Sequence, residues 1–395
     1  MSTKKHIAIL LDELAPGSAP KISGLMFKYL KDAGYKVTLL IIHDNKSYKK
    51  NQRVYDQFLK DIKIKYIMDY VPKFFKKINF KFPFMSFFSL HHILMYFYAY
   101  KAIKNDNIDL IISHCQYTTL ASINVYNKLG IKFLLLIWDP STFIAKKIYK
   151  KKYPLIFPFI YLGALVLDRI AVAKCEALIT SSKYHHKKYK KLTNKSLEIL
   201  HLGCFPKDKF YKDYSHGKII LSFDRWDIGN DPSQLLEILH QLADKTVKLF
   251  IGGYWHDNKV KENFYYKMKV LNLENRVKDL GPLNEEQISY YSTISSINIH
   301  HIHDAFATTI LETSGYCCPG IVTYGCGVDE FFKDNESIIL VENTKTITFV
   351  NRLNIFFSDE KLMREISLKA WIKSKEKSWK INYGKVLPEI CEKYF

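Results

Sequence analysis

The chain has 395 residues, of which 48% are hydrophobic, and its formal net charge is +20 at pH 7. This length is too great for one small core and predicts two domains, and the apolar content excludes a disordered protein. The 7 cysteines are scattered without a C-x-x-C pair, so neither a disulfide framework nor a zinc site is predicted and a reducing compartment is indicated. The start, Lys4-Lys5 before an apolar run, is not typical of a signal peptide.

The positive charge lies in the first half of the chain. Residues 1–200 hold 34 Lys and Arg against 13 Asp and Glu, whereas residues 201–395 hold 25 against 26. One domain is therefore expected to face an anionic partner, and the other is not.

The first elements predict a doubly wound parallel sheet. His6–Leu11 is an apolar run typical of a strand, Ile22–Ala33 has a helical pattern, and Lys36–Ile42 is again typical of a strand. The loop after the first strand has no G-x-G-x-x-G, so a dinucleotide site is not supported. Its glycines, Gly17 and Gly24, either line a ligand cleft or are ordinary turn glycines.

Two further buried strands are predicted at Leu110–Ser113 and Lys132–Ile137, each followed by polar or aromatic residues. His114 ends the first, although a lone histidine in such a place is more often structural. Trp138 and Asp139 end the second. Asp139 either orients a substrate hydroxyl or caps the following segment, and both interpretations stay open.

Two stretches of the first half, Val71–Tyr100 and Ile144–Leu167, are both basic and aromatic. The apolar part of the second, Pro154–Leu167, spans 14 residues and contains Pro158, so it is too short to cross a bilayer. It suits a membrane interface, with lysines on lipid head groups, although buried helices would explain the apolar residues equally well. Single-stranded nucleic acid also attracts lysines and aromatics, but no RRM, KH or helix-turn-helix signature is present, so the membrane surface is preferred.

The first half closes with predicted strands at Ala177–Thr180 and Leu197–Leu202. The boundary between the two domains is therefore predicted near residue 205.

The second domain begins with a predicted strand at Lys218–Phe223, followed by Arg225 and Asn230. A second strand, Val247–Ile251, ends in the pair Gly252-Gly253, and a third, Val277–Leu280, ends in Gly281-Pro282-Leu283. Arg225 either binds phosphate or pairs with Asp224 or Asp227 on the surface.

The segment 304–330 is the most informative part of the sequence. A buried strand is predicted at Ile297–Ile302 and a helix at Phe306–Gly315, which places Asp304 on the connecting loop and Glu312 about two turns along the helix. The amides of Ala307, Thr308 and Thr309 are then the donors of a helix N-terminus, which suits phosphate. Either this is a nucleotide-sugar site or the two acids are incidental.

Three nearby histidines, His300, His301 and His303, suggest a metal site only weakly. On a strand only His301 and His303 share a face, and Asp304 would have to join them. We therefore predict no metal.

These motifs resemble those of the retaining GT-B glycosyltransferases, in particular glycosyltransferase family 4. That family carries E-x-F-G-x-x-x-x-E before a stretch of small residues, and residues 304–312 are D-A-F-A-T-T-I-L-E. The matching small residues and the acid that follow are Gly315, Pro319, Gly325, Gly327 and Glu330. This sequence departs from the family at four positions: Asp304 replaces Glu, Ala307 replaces Gly, Asn230 replaces the Lys of G-R-x-x-x-x-K, and Trp138 replaces His.

The resemblance implies a GT-B fold, in which two Rossmann-like doubly wound parallel-sheet domains face a central cleft. It implies a first domain over residues 1–205, a second over residues 206–375, and a C-terminal helix over residues 376–395 that crosses back to the first domain. It implies a donor site in the second domain made by Arg225, Asn230, Gly252, Gly253, Pro282, Leu283, Asp304, Phe306, Ala307, Thr308, Thr309 and Glu312. It implies an acceptor side in the first domain made by Gly17, Gly24, His114, Trp138 and Asp139. Asp304, Glu312, Arg225 and Asp139 would be the catalytic residues, with no metal and no cofactor.

The expected function is that of a retaining hexosyltransferase that uses a nucleotide-sugar and a glycan, polyprenyl or glycolipid acceptor. It is expected to be cytoplasmic and to lie on an anionic membrane surface, at the inner face of the membrane. One alternative is a degenerate relative that binds a nucleotide-sugar or glycan without transferring it. A basic nucleic-acid-binding protein ranks below both, and no nucleic-acid partner is expected.

Overall fold

A computed structural model describes residues 4–14, 18–42, 62–75, 90–115, 118–150, 153–190, 193–303 and 306–395. The chain divides into two compact units: unit 1 comprises Met1–His201 with Lys380–Phe395, and unit 2 comprises Leu202–Trp379. Two predicted site residues, Gly17 and Asp304, lie outside the described residues, as do residues 76–89 of the first basic and aromatic stretch.

Unit 1 is built on a parallel sheet. Its strands are β1 (His6–Leu11), β2 (Lys36–Ile41), β3 (Ile64–Tyr66), β4 (Leu110–His114), β5 (Lys132–Ile137), β6 (Ala177–Thr180) and β7 (Ser196–Ile199). Their spatial order is β3-β2-β1-β4-β5-β6-β7, and every neighbouring pair is parallel. The chain order therefore reverses between β1 and β4, where a doubly wound sheet leaves a crevice at its carboxyl edge.

The helices of unit 1 follow the strands as crossovers. Those that precede unit 2 within the described residues are α1 (Ser18–Asp32), α2 (Leu90–Ile103), α3 (Thr119–Leu129), α4 (Ser141–Ile144), α5 (Phe157–Lys174) and α6 (Lys183–Lys190). Short turns of 3₁₀ helix at Ile67–Tyr70 and π helix at Ala145–Tyr149 complete this part. The central strands are mostly apolar and, apart from Lys132 at the start of β5, buried, as expected when helices cover both faces of a parallel sheet.

Unit 2 contains a second parallel sheet. Its strands are β8 (Ile219–Trp226), β9 (Lys248–Trp255), β10 (Val277–Gly281), β11 (Ile297–His300), β12 (Gly320–Thr323) and β13 (Ile339–Val341). They lie in the order β10-β9-β8-β11-β12-β13, again all parallel. The reversal of chain order here falls between β8 and β11.

The helices of unit 2 again connect successive strands. In the described residues they are α7 (Ser233–Gln241), α8 (Asn258–Val270), α9 (Glu285–Ile294), α10 (Thr308–Gly315), α11 (Thr346–Ser358) and α12 (Glu360–Lys375), with a 3₁₀ turn at Val328–Glu330. α9 has a full capping box, in which the Asn284 side chain accepts from the amide of Gln287 and the Gln287 side chain accepts from the amide of Asn284.

The C-terminal segment belongs to unit 1, to which residues 380–395 return after unit 2. It consists of the end of α13 (Trp379–Ile381), a π turn at Asn382–Val386 and α14 (Leu387–Glu392). Tyr35 donates to the Glu392 carboxylate, and Lys393 lies 3.0 Å from a Glu198 carboxylate oxygen. Tyr383, Leu387 and Cys391 are fully buried, so this segment is part of the core of unit 1.

The prediction of two doubly wound parallel sheets is confirmed, and the corrections concern where elements end. β8 and β9 run three and four residues beyond their predicted ends, so Arg225 and the Gly252-Gly253 pair lie in strands. Helix α10 starts at Thr308, two residues after the predicted Phe306. Among the described residues, no helix is both long and apolar enough to span a bilayer.

Candidate functional site

The switch point of unit 2 gathers several of the predicted donor residues. β11 pairs with β8 through Ile297 and Asn298, and the hydroxyl of Ser222 donates to the carbonyl of Ile299 at 3.0 Å. Past its last pairing with β11, β8 continues beside β9, in register from Asp224 with Gly253 to Trp226 with Trp255. The carboxyl end of β8 therefore projects beyond the sheet, where open α/β sheets bind their ligands.

Arg225 lies on this extension, and its side chain is half exposed. Its Nε donates to Oδ2 of Asp227 at 2.9 Å. The other oxygen of Asp227 accepts from the amides of Gly229 and Asn230, at 2.8 and 3.1 Å, which fixes the turn after β8. The guanidinium is thus held beside a carboxylate, as the surface-pair interpretation predicts, but its exposure leaves the remaining donors accessible to an anion.

Asn230 replaces the expected lysine and has a structural partner. Its side chain is buried, and its Nδ2 lies 3.3 Å from Oδ1 of Asp224, which also accepts from the amide of Arg225 at 2.7 Å. The turn therefore holds two carboxylates, Asp224 and Asp227, against one arginine. Such a charge balance is less favourable to a diphosphate than the Arg and Lys pair of the family pattern.

The Gly252-Gly253 pair has a packing role. A Cβ on Gly253, whose φ is +129°, would lie 1.8 Å from the carbonyl oxygen of Asp224. A Cβ on Gly252 would lie 2.7 Å from Cδ1 of Leu283. Gly253 is therefore required by the close approach of the β8 backbone, whereas Gly252 lies against the movable side chain of Leu283 in the segment after β10. Pro282 is exposed at the start of that segment.

The start of α10 differs from the prediction in its hydrogen bonding. The amide of Ala307 donates to the carbonyl of Cys326 at 2.9 Å, and that of Thr308 donates to Phe306 at 2.8 Å. Ala307 is fully buried, so the prediction that its amide is an open phosphate donor is wrong. Thr308 and Thr309 are partly exposed, and of the three predicted amide donors that of Thr309 is the one we retain.

Glu312 lies on α10 and is partly exposed. The neighbouring Tyr316 donates its hydroxyl to Oε2 of Glu285 at 3.3 Å. Burial first, and then the negative charges of Glu285 and Glu312, raise the pKa of Tyr316. Tyr316 therefore stays protonated and brings a hydroxyl and a second carboxylate close to Glu312, neither of which the sequence patterns indicate.

Phe306, just before the start of α10, packs into the interior of unit 2. Its ring centroid lies 6.2 Å from that of Phe331, and Nζ of Lys377 lies 5.2 Å from the Phe331 ring. Phe306 is therefore a packing residue, and Lys377 brings a positive charge towards the start of α10 from a distant part of the sequence.

Two of the three histidines have separate hydrogen-bond partners. A ring nitrogen of His301, Nε2, lies 2.9 Å from the carbonyl oxygen of Asp231, and Nδ1 of His303 lies 3.3 Å from the hydroxyl of Thr323. Within the part of the chain that the structure describes, which omits Asp304, no three His, Cys, Asp or Glu side chains are grouped as metal ligands.

In unit 1, the predicted acceptor residue His114 is part of a buried chain of hydrogen bonds. Trp138 Nε1 donates to Nε2 of His114 at 2.8 Å, so Nδ1 carries the ring proton and faces the hydroxyl of Ser23 at 2.7 Å. Burial lowers the pKa of His114 to about 3. His114 is thus a neutral positioning residue, and it holds the partly exposed indole of Trp138 in one orientation.

Asp139 follows Trp138 and faces a histidine that the sequence patterns do not indicate. Nε2 of His185 lies 3.4 Å from Oδ1 of Asp139, and its Nδ1 lies 3.1 Å from the hydroxyl of Ser182 at the start of α6. Asp139 therefore does not cap the next helix. That cap is Asp168, which accepts from the amides of Ser141 and Thr142 at 2.9 and 3.1 Å.

Two other residues complete the carboxyl edge of this sheet. Cys115, with φ +70°, is near Asp12, Trp138 and Asp139, and burial followed by the two carboxylates raises the pKa of its thiol. Gly24 is buried inside α1, so the prediction that it lies in the loop after β1, whether at a cleft or in an ordinary turn, is wrong.

The comparisons with known proteins concern both the domain and the fold. Residues 207–372 match the family model described as Glycosyl transferases group 1. Unit 2 is a glycosyl transferases group 1 domain. The prediction of a glycosyltransferase is confirmed at the level of this family model. Comparison with curated proteins gives no match.

Solved structures resemble the whole chain. HepE from Anabaena, in complex with UDP and glucose, has a TM-score of 0.75 at 14% identity, over 98% of this chain and 100% of that one. Sucrose-phosphate synthase from Thermosynechococcus elongatus has a TM-score of 0.78 at 12% identity, over 99% of both chains. A single-residue mutant of TarM from S. aureus, in complex with Fondaparinux, alpha-GlcNAc-glycerol and UDP, has a TM-score of 0.74 at 12% identity, over 97% of this chain and 99% of that one. At these identities the likeness establishes the fold, which is GT-B.

Proposed function

We propose that this protein is a retaining, metal-independent glycosyltransferase of family 4 type that transfers a hexose from a nucleotide-sugar to a glycan or lipid-linked acceptor. The observation that carries the proposal is that a glycosyl transferases group 1 domain places Arg225 at the switch point of its sheet, with Glu312 on α10 after β11. Because HepE and TarM are both described with UDP, a UDP-hexose is the first donor to test.

In this proposal the donor lies at the carboxyl edge of the unit 2 sheet. Glu312 binds the ribose hydroxyls, and Asp304 binds sugar hydroxyls. The exposed donors of Arg225 and the amide of Thr309 stabilise the charge that develops on the departing diphosphate. That diphosphate takes the proton of the acceptor hydroxyl on the same face of the sugar, which retains the configuration at the anomeric carbon.

Asp139 is proposed to orient the acceptor hydroxyl, and His185 to position Asp139. Trp138, held by His114, supplies a fixed aromatic face for the acceptor beside them. The excess of lysine in residues 1–200 supports an acceptor that is anionic or embedded in an anionic membrane, such as a polyprenyl-phosphate glycan or a glycolipid.

The experiment is a release assay for nucleoside diphosphate with a panel of nucleotide-sugars and with soluble and lipid-linked acceptors. We expect Glu312→Ala to remove most turnover, and Glu312→Gln to lose less because it keeps one acceptor for a ribose hydroxyl. The anomeric configuration of the product, determined by NMR, tests retention directly. A Glu312→Ala enzyme with near wild-type kcat/KM would contradict the proposed donor site.

A second candidate is a protein that binds a nucleotide-sugar without transferring it. The observation in its favour is the turn after β8. There the carboxylates of Asp224 and Asp227 outnumber the one cation, Arg225, and the side chain of Asn230 bonds to Asp224. Thermal stabilisation by a nucleotide-sugar, with no release of diphosphate for any acceptor, would favour this candidate over the enzyme.

A further inference from the structure

Helix α5 of unit 1 has an exposed apolar stripe along most of its length. The stripe consists of four large side chains on the helix, Phe159 (76% exposed), Leu162 (59%), Val166 (47%) and Ile170 (40%), and is continued by Leu155 (91%) in the turn before it. At 3.6 residues per turn, the four helical positions fall within an arc of about 80° and repeat over about three turns. Scattered single apolar residues are normal on a protein surface, but a continuous stripe of this kind marks a binding surface.

The opposite face of α5 accounts for how the helix is attached to unit 1. Ile160, Ala164, Leu167 and Ala171 are buried and follow the same helical spacing. The helix is therefore apolar on two faces, of which only one is needed by the core. The stripe is thus not explained by the packing of the described part of unit 1.

The charges around the stripe are of one sign. Between Asp139 and Glu176 the sequence contains one acid, Asp168, and seven Lys and Arg. Asp168 is buried and accepts from Ser141 and Thr142, so it adds no acid to the exposed face. Lys146 and Lys150 are exposed just before α5, and Nζ of Lys146 lies 5.0 Å from the ring of Tyr161 on the helix. Arg169 and Lys174 are exposed at its other end.

We propose that this face, formed by Leu155, Phe159, Leu162, Val166 and Ile170 with Lys146, Lys150, Arg169 and Lys174, docks the protein on an anionic lipid surface. The helix lies in the plane of the interface, with its stripe among the acyl chains and the cationic side chains on phosphate head groups. A lipid surface fits better than a protein partner because the apolar residues form a straight line that is flanked by cations and free of acids. The docking does not depend on the proposed transfer reaction.

The test is co-sedimentation of the full-length protein with vesicles of phosphatidylcholine alone or with roughly one third phosphatidylglycerol. We expect binding to the anionic vesicles. Phe159→Ser/Leu162→Ser should lower the vesicle partition coefficient by roughly tenfold or more, since two large apolar groups are removed from the bilayer. Lys146→Gln/Lys150→Gln should weaken binding to anionic vesicles by roughly tenfold and should lose most of that difference at high salt.

The matched control is Tyr266→Ser/Ile355→Ser, which removes two side chains of unit 2 that are 70% and 59% exposed. This variant should bind vesicles as the wild type does. All variants should keep the wild-type thermal midpoint, because every substituted side chain is exposed. They should also keep wild-type diphosphate release with a soluble acceptor, so that loss of docking is distinguished from loss of transfer.

Two results would overturn the proposal. One is equal vesicle binding by the stripe variant and its control. The other is a wild-type protein that does not bind vesicles and sediments as a dimer, with Phe159→Ser/Leu162→Ser sedimenting as a monomer. In that case the stripe would be an interface between two copies of the chain.

Discussion

Replacement of Gly253 by alanine tests whether this glycine of β9 is required by packing. The added Cβ would lie 1.8 Å from the carbonyl oxygen of Asp224, where real Cβ contacts are essentially never under 3.0 Å, so β8 and β9 must separate by about 1 Å or more. The positive φ costs roughly 1–2 kcal/mol for an L residue. Loss of one strand hydrogen bond adds about 0.5–1.5 kcal/mol. We therefore expect Gly253→Ala to destabilise unit 2 by about 1.5–3.5 kcal/mol.

The assay is thermal unfolding followed by circular dichroism, where this loss corresponds to a midpoint lower by about 5–15 °C for a domain of this size. Gly217→Ala is the matched control, because Gly217 has φ +79° but nothing within 4 Å of its Cβ position. It should show the conformational cost alone, about 1–2 kcal/mol. Gly252→Ala should be mild, since the Leu283 methyl can turn away. If Gly253→Ala melts within a degree of Gly217→Ala, the packing explanation is refuted.

Three further predictions concern charge and hydrogen bonding. Asp227→Asn should keep the turn after β8, because its amide oxygen still accepts from Gly229, and should lower the KM for the nucleotide-sugar several-fold by releasing Arg225. Arg225→Ala should raise that KM about tenfold or more. Equal KM values for the two variants would contradict the role of Arg225. Trp138→Phe leaves the buried Nε2 of His114 without its donor and should cost about 1–3 kcal/mol in a denaturant titration, so an unchanged midpoint would exclude that hydrogen bond. The imidazole of His114 is neutral in the folded protein and binds a proton in the unfolded protein. Its contribution to the free energy of unfolding is therefore present above the pKa of the unfolded state and is lost as pH falls. In His114→Gln, the slope of unfolding free energy against pH between about 4.5 and 6.5 should therefore decrease by about 1.4 kcal/mol per pH unit.

The parallel sheets were predictable because their strands are local patterns. The runs at His6–Leu11, Lys132–Ile137 and Ala177–Thr180 have the same bounds in the structure as in the sequence. In each case apolar residues alone specify a strand buried on both faces. The prediction failed at the ends of β8 and β9, where polar and glycine residues continue the strands, because pairing between two segments extends a ladder that neither shows by itself.

The candidate site was predictable only where one segment carries the signal. Glu312 and Arg225 were found from short motifs. Among the partners that determine their surroundings, Tyr316, Asp224 and Asn230 lie in the same segments, whereas Glu285, which accepts from Tyr316, comes from α9. In unit 1, His185 meets Asp139 across 46 positions of sequence, and no local pattern encodes such a contact.

The return of residues 380–395 to unit 1 has a consequence for synthesis of the chain. Tyr383, Leu387 and Cys391, which lie in the interior of unit 1, are translated only after all of unit 2. Until they emerge from the ribosome, the nascent unit 1 lacks the partners that Tyr35 and Glu198 have in the finished protein. Unit 1, although made first, is therefore completed last.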